Sequence, residues 1–197
     1  MPRLIEPVIP PGSMSHLVQP ILEVDDRSYL RPWTMDDVAV VVAAYSDREI
    51  QRWIPYSFDE AEAEQVIARW TETWHKETGA CWAIAKRSDE SAFGRFAFQT
   101  IDFISGSAEI AYWVLPQSRG EGYAPLATTA ICEWAFNQLG LHRVQLFHSV
   151  RNIVSCRVAV KAGLELEATL KSEALYRDGW HDTHLHACVR TGQASIT

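Results

Sequence analysis

The segment "AEIAYWVLPQSRGEGYAPLATTAICEWAFNQLG" covers residues 108–140, and the fold turns on how it is read. Residues 108–115 are apolar at nearly every position, which predicts a strand at the centre of a sheet, buried on both faces. Gly120 and Gly122 follow in a short polar loop. Helical spacing then runs from about Tyr123 to Leu139, with Pro125 tolerated in the first turn and Gly140 as the stop. A glycine loop at a helix N-terminus offers backbone N–H groups to an anion, most often a phosphate.

Working outward, "CWAIAK" (81–86), "FGRFAFQTID" (93–102) and 108–115 read as an antiparallel meander joined by the turns "RSDES" and "SGS". "RVQLFHSV" (143–150) is the next strand, parallel to 108–115 if the intervening helix is a crossover. Asn152 caps a helix that ends at Gly163. Two closing strands, "LEATLKSEALY" and "WHDTHLHACV", are joined at Asp178-Gly179, which predicts a type I′ turn. Before the meander, "SYLRPW" (28–33) predicts a strand. Thr34 starts a helix to about Tyr45, "DREIQRWI" gives a short second one, and Ser57 with Glu60 forms a capping box opening a helix to about Lys76. The apolar stripe of that helix is Ala63, Val66, Ile67, Trp70 and Trp74, and both tryptophans are expected in the core. "QRWIPYSF" (51–58) is either core packing or the wall of a site.

Residues 1–27 carry five of their prolines within "MPRLIEPVIPPGSMSHLVQP" and have no period, so an extended arm is expected, laid on the domain or on a neighbour. One domain follows at 28–190 and a tail at 191–197. At 197 residues the chain suits a single domain, and eight tryptophans predict a large core. The net charge of −7 argues against nucleic acid and suits a cationic partner such as an amine. Cys81, Cys132, Cys156 and Cys188 form no C-x-x-C pair and are read as reduced thiols of a cytoplasmic protein. No leader pattern is read, and the longest apolar run, 38–44, is too short to span a bilayer.

The loop lacks the Lys-Ser/Thr of a nucleoside-triphosphate loop. Pro125 occupies the third glycine position of a dinucleotide fingerprint, and an antiparallel meander precedes the strand. A methyltransferase-type loop using S-adenosylmethionine is the alternative by appearance, and the same topology opposes it. "QSRGEGYA" resembles the Q/R-x-x-G-x-G/A motif of the GNAT acetyltransferases, with Gln117, Gly120 and Gly122 at the motif positions. "AEIAYWVLP" resembles that family's central strand, and "VRNIVSCRVAVKAGLELEA" (150–168) is similar to the N-x-x-S helix of its RimJ/RimL-type subgroup. "LRPW" and "YRDGWHD" have the look of the same subgroup, so the resemblance spans roughly 28–190.

The resemblance implies an α/β domain of GNAT fold: a mixed, mostly antiparallel central sheet, a V-shaped splay between two parallel strands, and flanking helices. It implies acetyl transfer from acetyl-CoA to a primary amine by direct attack, on a protein N-terminus or a small molecule. The loop residues Arg119, Gly120, Glu121, Gly122, Tyr123 and Ala124 would supply pyrophosphate donors, with Arg119 adding charge. A backbone N–H around Val114 and Leu115 would polarise the carbonyl. Asn152 would meet the pantetheine arm, besides capping its helix, and Ser155 the thiolate. Glu109 is the first choice of base, by likeness to a central-strand glutamate of histone-acetylating relatives. Glu173 is the second, although the RimL-like base matches Ala174 here, and a slip of one residue turns a strand side chain to the other face. An α-amine, with a pKa near ~8, needs less help from a base than a lysine near ~10.4. An acyl-CoA-sensing module without turnover would carry the same loop, and a longer acyl donor and a homodimer stay open.

In "HDTHLHAC", Asp182, His184, His186 and Cys188 share one strand face. No metal is expected there, because no second histidine pair stands elsewhere in the chain and His142 and His148 are single.

Overall fold

The computed structural model of the chain describes residues 4–190. Its strands are β1 (Leu22–Glu23), β2 (Ser28–Pro32), β3 (Ala80–Lys86), β4 (Ala92–Asp102), β5 (Ser107–Val114), β6 (Arg143–Ser149), β7 (Glu165–Tyr176) and β8 (Gly179–Val189). They form one sheet in the order β1-β2-β3-β4-β5-β6-β8-β7. Every neighbouring pair is antiparallel except β5 and β6. That one parallel pair follows from the crossover helix α4 (Tyr123–Trp134), whose last turns continue in π-helical form over Ala135–Leu139 before Gly140 ends it. The fold is therefore mixed α/β, open and mostly antiparallel.

The other helices are α1 (Val38–Ser46), α2 (Arg48–Trp53), α3 (Glu60–His75) and α5 (Ile153–Lys161). A short 3-10 turn, Met35–Asp37, precedes α1, and the Asp37 carboxylate accepts from the Thr34 backbone N–H and hydroxyl. The capping box of α3 lies two residues beyond the Ser57/Glu60 expectation: Asp59 accepts from the Glu62 N–H and Glu62 accepts from the Asp59 N–H. Both registers satisfy the local pattern, so sequence alone does not separate them. The closing hairpin also differs. Neither Arg177 nor Asp178 has positive φ, and only Gly179, at φ 115°, does, so the turn is not type I′.

Each face of the sheet has its own core. On one face Phe96, Phe98, Ile110, Val144 and Leu146 pack against Ile131 and Ala127 of α4 and Ala159 of α5. On the other, Cys81, Ala83, Ala97 and Trp113 pack against Val41 and Ala44 of α1 and Ala63, Val66 and Ile67 of α3. Side chains alternate in strands, so β5 sends Ala108 and Ile110 to the first core and Trp113 to the second. Full burial of β5 on both faces does not hold. Glu109, Ala111, Tyr112 and Val114 are only half-buried, and a cavity opens beside the first three.

The arm is laid on its own domain, and Ile9 and Met14 are buried in the first core. Two tryptophan side chains donate to its carbonyls, Trp74 to Leu17 and Trp82 to Pro20, and Gln19 of the arm donates in return to the Cys81 carbonyl. Glu77, in a left-handed turn at φ 58°, accepts the N–H groups of Gly12, Met14 and Ser15. Burial raises this carboxyl's pKa, the three donors outweigh it, and the net shift is downward. Glu77→Gln is expected to cost roughly 1.5–3 kcal/mol, the scale of hydrogen bonds to a charged group. A depressed folded pKa means that the contribution is present above the unfolded carboxylate pKa and is lost as pH falls through the folded value. Urea unfolding of both proteins across the acidic range should show the gap close on acidification.

Candidate active site

β5 and β6 pair only at Ser107–Ile110 and Arg143–Leu146. Beyond Ile110 the strands part. A cavity of about 550 Å³ occupies the gap, with Glu109, Ile110, Ala111 and Tyr112 of β5 on one wall and Leu146, Phe147, His148 and Ser149 of β6 on the other. That volume suits a small-molecule or cofactor site. The Leu115 N–H is spent on the Phe93 carbonyl at 2.8 Å. Antiparallel bonding alternates along a strand, so the Val114 N–H points the other way, towards the gap. Of the two residues expected to polarise a carbonyl, the geometry leaves Val114.

On the α4–α5 side stands the glycine loop. Gly120 and Gly122 have φ of 85° and 84°, and Gly122 is the N-cap of α4. This left-handed backbone is what glycine permits without penalty, and it exposes the first N–H groups of the helix. Gln117 lies in a single turn, Pro116–Ser118, between β5 and the loop. The Arg119 guanidinium is held by the Asp47 carboxylate at 3.0 Å and the Val114 carbonyl at 2.9 Å, which ties the loop to α2. Arg27, unnoticed in the sequence, lies over the Tyr123 ring at 4.7 Å and donates to the Glu121 carbonyl. Ala124 is the second residue of α4, and its carbonyl accepts from the Thr128 hydroxyl.

Asn152 caps α5, its side-chain oxygen accepting from the Ser155 N–H at 3.0 Å, and both residues line the cavity. The Ser155 hydroxyl is 3.0 Å from the Tyr112 hydroxyl. Burial pushes the Tyr112 phenol up to about 12, against a smaller opposing effect of Ser155, so it is protonated at neutral pH. Tyr112 escaped the sequence reading because an aromatic residue on a central strand reads as core, and its partner is 43 positions away.

Glu109 faces the cavity from the other side of the sheet, where the Gln99 amide donates to its carboxylate. Burial raises its pKa, Gln99 opposes this, and the charge of Glu173 adds to the rise. Glu173 reaches Glu109's field because β7 bulges between Leu170 and Ala174. Ser172 sits at φ 47°, and its N–H is bound by Asp182. Trp53, Ile54, Pro55, Tyr56 and Phe58 line this end of the cavity, so the 51–58 segment is a wall. Trp70 joins it, half-buried between the second core, against which it packs, and the cavity, whereas Trp74 is fully core. Arg95 also lines the wall, its guanidinium 4.8 Å from the Trp70 ring centre and donating to the Cys81 sulfur at 3.1 Å. No carboxylate pairs with Arg95 among the described residues.

Of the "HDTHLHAC" face, Asp182 is taken by Lys171 and the Ser172 N–H, and Cys188 lies 3.9 Å from Cys132. His184 and His186 stand instead beside His148 and Cys156. No described helix is long and apolar enough to cross a membrane.

Residues 27–165 match the family description "Acetyltransferase (GNAT) domain". The chain is 28% identical over 176 residues to YoaA of Bacillus subtilis strain 168, named an uncharacterized N-acetyltransferase, covering 87% of this chain and 97% of that protein. It is 28% identical over 105 residues to the ribosomal-protein-serine acetyltransferase of Escherichia coli K12, covering 53% of this chain and 59% of that one. Among solved structures, RimL, a ribosomal L7/L12 alpha-N-protein acetyltransferase in complex with coenzyme A, superposes with a TM-score of 0.79 at 19% identity, covering 86% and 98% of the two chains. With its split sheet, its glycine loop at the head of α4 and these relatives, the chain belongs to the GNAT family of N-acetyltransferases, and its relatives and structural neighbours include ribosomal-protein acetyltransferases.

Proposed function

We propose that this enzyme transfers acetyl from acetyl-CoA to an amine by direct attack inside the through-sheet cavity. The observation that carries the reading is the parting of β5 and β6. It brings Glu109, from one face of the sheet, and the Tyr112–Ser155 pair, from the other, onto one cavity. The donor enters from the α4–α5 side, its pyrophosphate on the N–H groups of Arg119 to Ala124 and its pantetheine arm along Asn152. RimL's complex with coenzyme A supports this. The amine enters past Trp53, Tyr56 and Phe58.

Glu109 takes a proton from the ammonium, directly or through a water. The neutral nitrogen attacks the thioester carbon, and the Val114 N–H holds the oxyanion that forms. As the C–S bond breaks, Tyr112 hydrogen-bonds the departing thiolate and passes it a proton, with Ser155 orienting the phenol. The nitrogen, cationic after the attack, gives up its second proton to restore Tyr112, and Glu109 releases the first to solvent. A phenol near 12 is protonated at neutral pH and stabilises the thiolate as a hydrogen-bond donor. The product thiol has an ordinary pKa near ~8.5, so proton transfer completes only as the cationic nitrogen of the adduct returns a proton to Tyr112. A raised Glu109 is a better base near neutrality than an ordinary carboxylate. An α-amine remains the favoured acceptor. Arg95, a cation in the wall with no carboxylate of its own, supports an acceptor that carries an acidic group near its amine.

Acetyl-CoA at a hundredfold over Kd should stabilise the protein by about 2.7 kcal/mol in a thermal scan. Gly120→Val should abolish the gain, since a β-branched residue resists φ 85°. Stabilisation without product from any amine would indicate a binding module, and a response to S-adenosylmethionine alone would overturn the reading.

In the pH profile of kcat/KM, activity should fall as pH drops through the raised pKa of Glu109. Glu109→Gln should remove that limb and lower kcat/KM by roughly 10²–10⁴. Tyr112→Phe should lower kcat on the order of 10² with the KM for acetyl-CoA unchanged. Arg95→Met should raise KM roughly tenfold or more for a carboxylate-bearing amine and leave its amide analogue untouched, the scale of one charged hydrogen bond.

A further inference from the structure

His148 of β6, His184 and His186 of β8 and Cys156 of α5 point their ligating atoms at one another, all within 4.8 Å. Register explains the histidines: His148 pairs directly with His184 and Leu146 with His186, so all three rings lie on one sheet face. Cys156 follows Ser155 in the opening turns of α5, which packs over that face. His186 is fully buried and His148 is 5% exposed.

The nitrogens are left in a state that a folded protein avoids. His148 Nε2, His184 Nδ1 and His186 Nε2 are buried and have no hydrogen-bond partner among the described residues. The opposite nitrogens of two rings are occupied. His148 Nδ1 donates to the Ser149 carbonyl at 2.8 Å and His186 Nδ1 to the Leu164 carbonyl at 3.3 Å. Those carbonyls accept only, so they fix the N–H on Nδ1 and leave a lone pair on each inward Nε2. A backbone carbonyl behind the ring is the usual support for a metal-bound histidine. Burial lowers the pKa of both rings, the carbonyls oppose this, and neighbouring histidines lower it further, so both are neutral, as ligation requires. Two lone pairs and a third unpartnered ring nitrogen face one another beside a thiol, the arrangement a cation would satisfy.

We propose that His148, Cys156, His184 and His186 form a tetrahedral site for a borderline divalent metal, Zn²⁺ above all. Three imidazole nitrogens and one thiolate are a Zn²⁺ donor set. Bonds of about 2.0–2.1 Å to nitrogen and about 2.3 Å to sulfur put tetrahedral ligands roughly 3.3–3.8 Å apart, so side-chain adjustments of about an ångström close the site. On binding, the Cys156 thiol releases its proton to solvent. Four protein ligands leave no open position, so the metal is structural. It would pin the first turns of α5, which carry Asn152 and Ser155, to β6 and β8. The site goes beyond the acetyl-transfer reading and is tested without it.

The test uses the full chain, stripped with a chelator, dialysed and given Zn²⁺ or Co²⁺ alone. One equivalent of Zn²⁺ should be retained through gel filtration and raise Tm. Co²⁺ should give the strong visible absorption of a tetrahedral centre and a near-ultraviolet thiolate-to-cobalt band. Cys156→Ser should lose that band, and both Cys156→Ser and the half-buried His184→Gln should weaken binding at least roughly tenfold, the floor seen even for outer ligand partners. Cys188→Ser, checked like the others for a native circular dichroism spectrum, should bind as the parent does. Absence of stoichiometric Zn²⁺, a Co²⁺ spectrum without the thiolate band, or binding that depends on Cys188 and not on Cys156 would each overturn the site.

Discussion

The backbone ladder between β5 and β6 covers four residues on each strand and then stops, and the site is built around that stop. Parallel strands joined by a crossover helix must start side by side, and right-handed twist carries them apart if nothing holds their far ends. Here β8 takes the outer edge of β6 along Arg143–Ser149 and β4 takes the outer edge of β5 up to Val114. Each strand is secured on its far side, so the gap is a stable feature and not a frayed edge. It leaves backbone donors on β5 that the sheet does not use.

A sheet ordinarily separates the chemistry of its two faces. Side-chain alternation puts Glu109 with the α1–α3 core and Tyr112 with the α4–α5 core. Only the gap lets both reach one volume. The two groups are also tuned in useful directions by the same cause. Burial raises the carboxyl of Glu109, making it the stronger base, and raises the phenol of Tyr112, keeping it protonated and able to hydrogen-bond a departing thiolate. The aromatic segment 51–58 and Trp70 close the acceptor end, while Asp47, Arg119 and the Val114 carbonyl lock the glycine loop against α2.

The order of strands and helices was legible because it rests on local signals. Alternation, helical spacing, Gly140 and Gly163 as stops and the Asn152 cap each act within a few residues. Where two local solutions compete, legibility ends. Ser57/Glu60 and Asp59/Glu62 are equal as patterns, and the chain uses the second. The Asp178-Gly179 pair favours one turn by composition, and the strands it joins impose another.

The sequence by itself determined the order of the main elements from residue 28 on, the glycine loop and the family, and it marked Glu109, Asn152 and Ser155 as candidates, since each is carried by short contiguous motifs. The tertiary structure alone decided that the Leu115 N–H is spent on Phe93, that Tyr112 meets Ser155, that Glu173 bears on Glu109 across a bulged β7, and that His148 and Cys156 stand with His184 and His186. These contacts join residues far apart in the chain. They depend on strand register and on how α5 packs across the sheet, and neither quantity is written in any local run of residues.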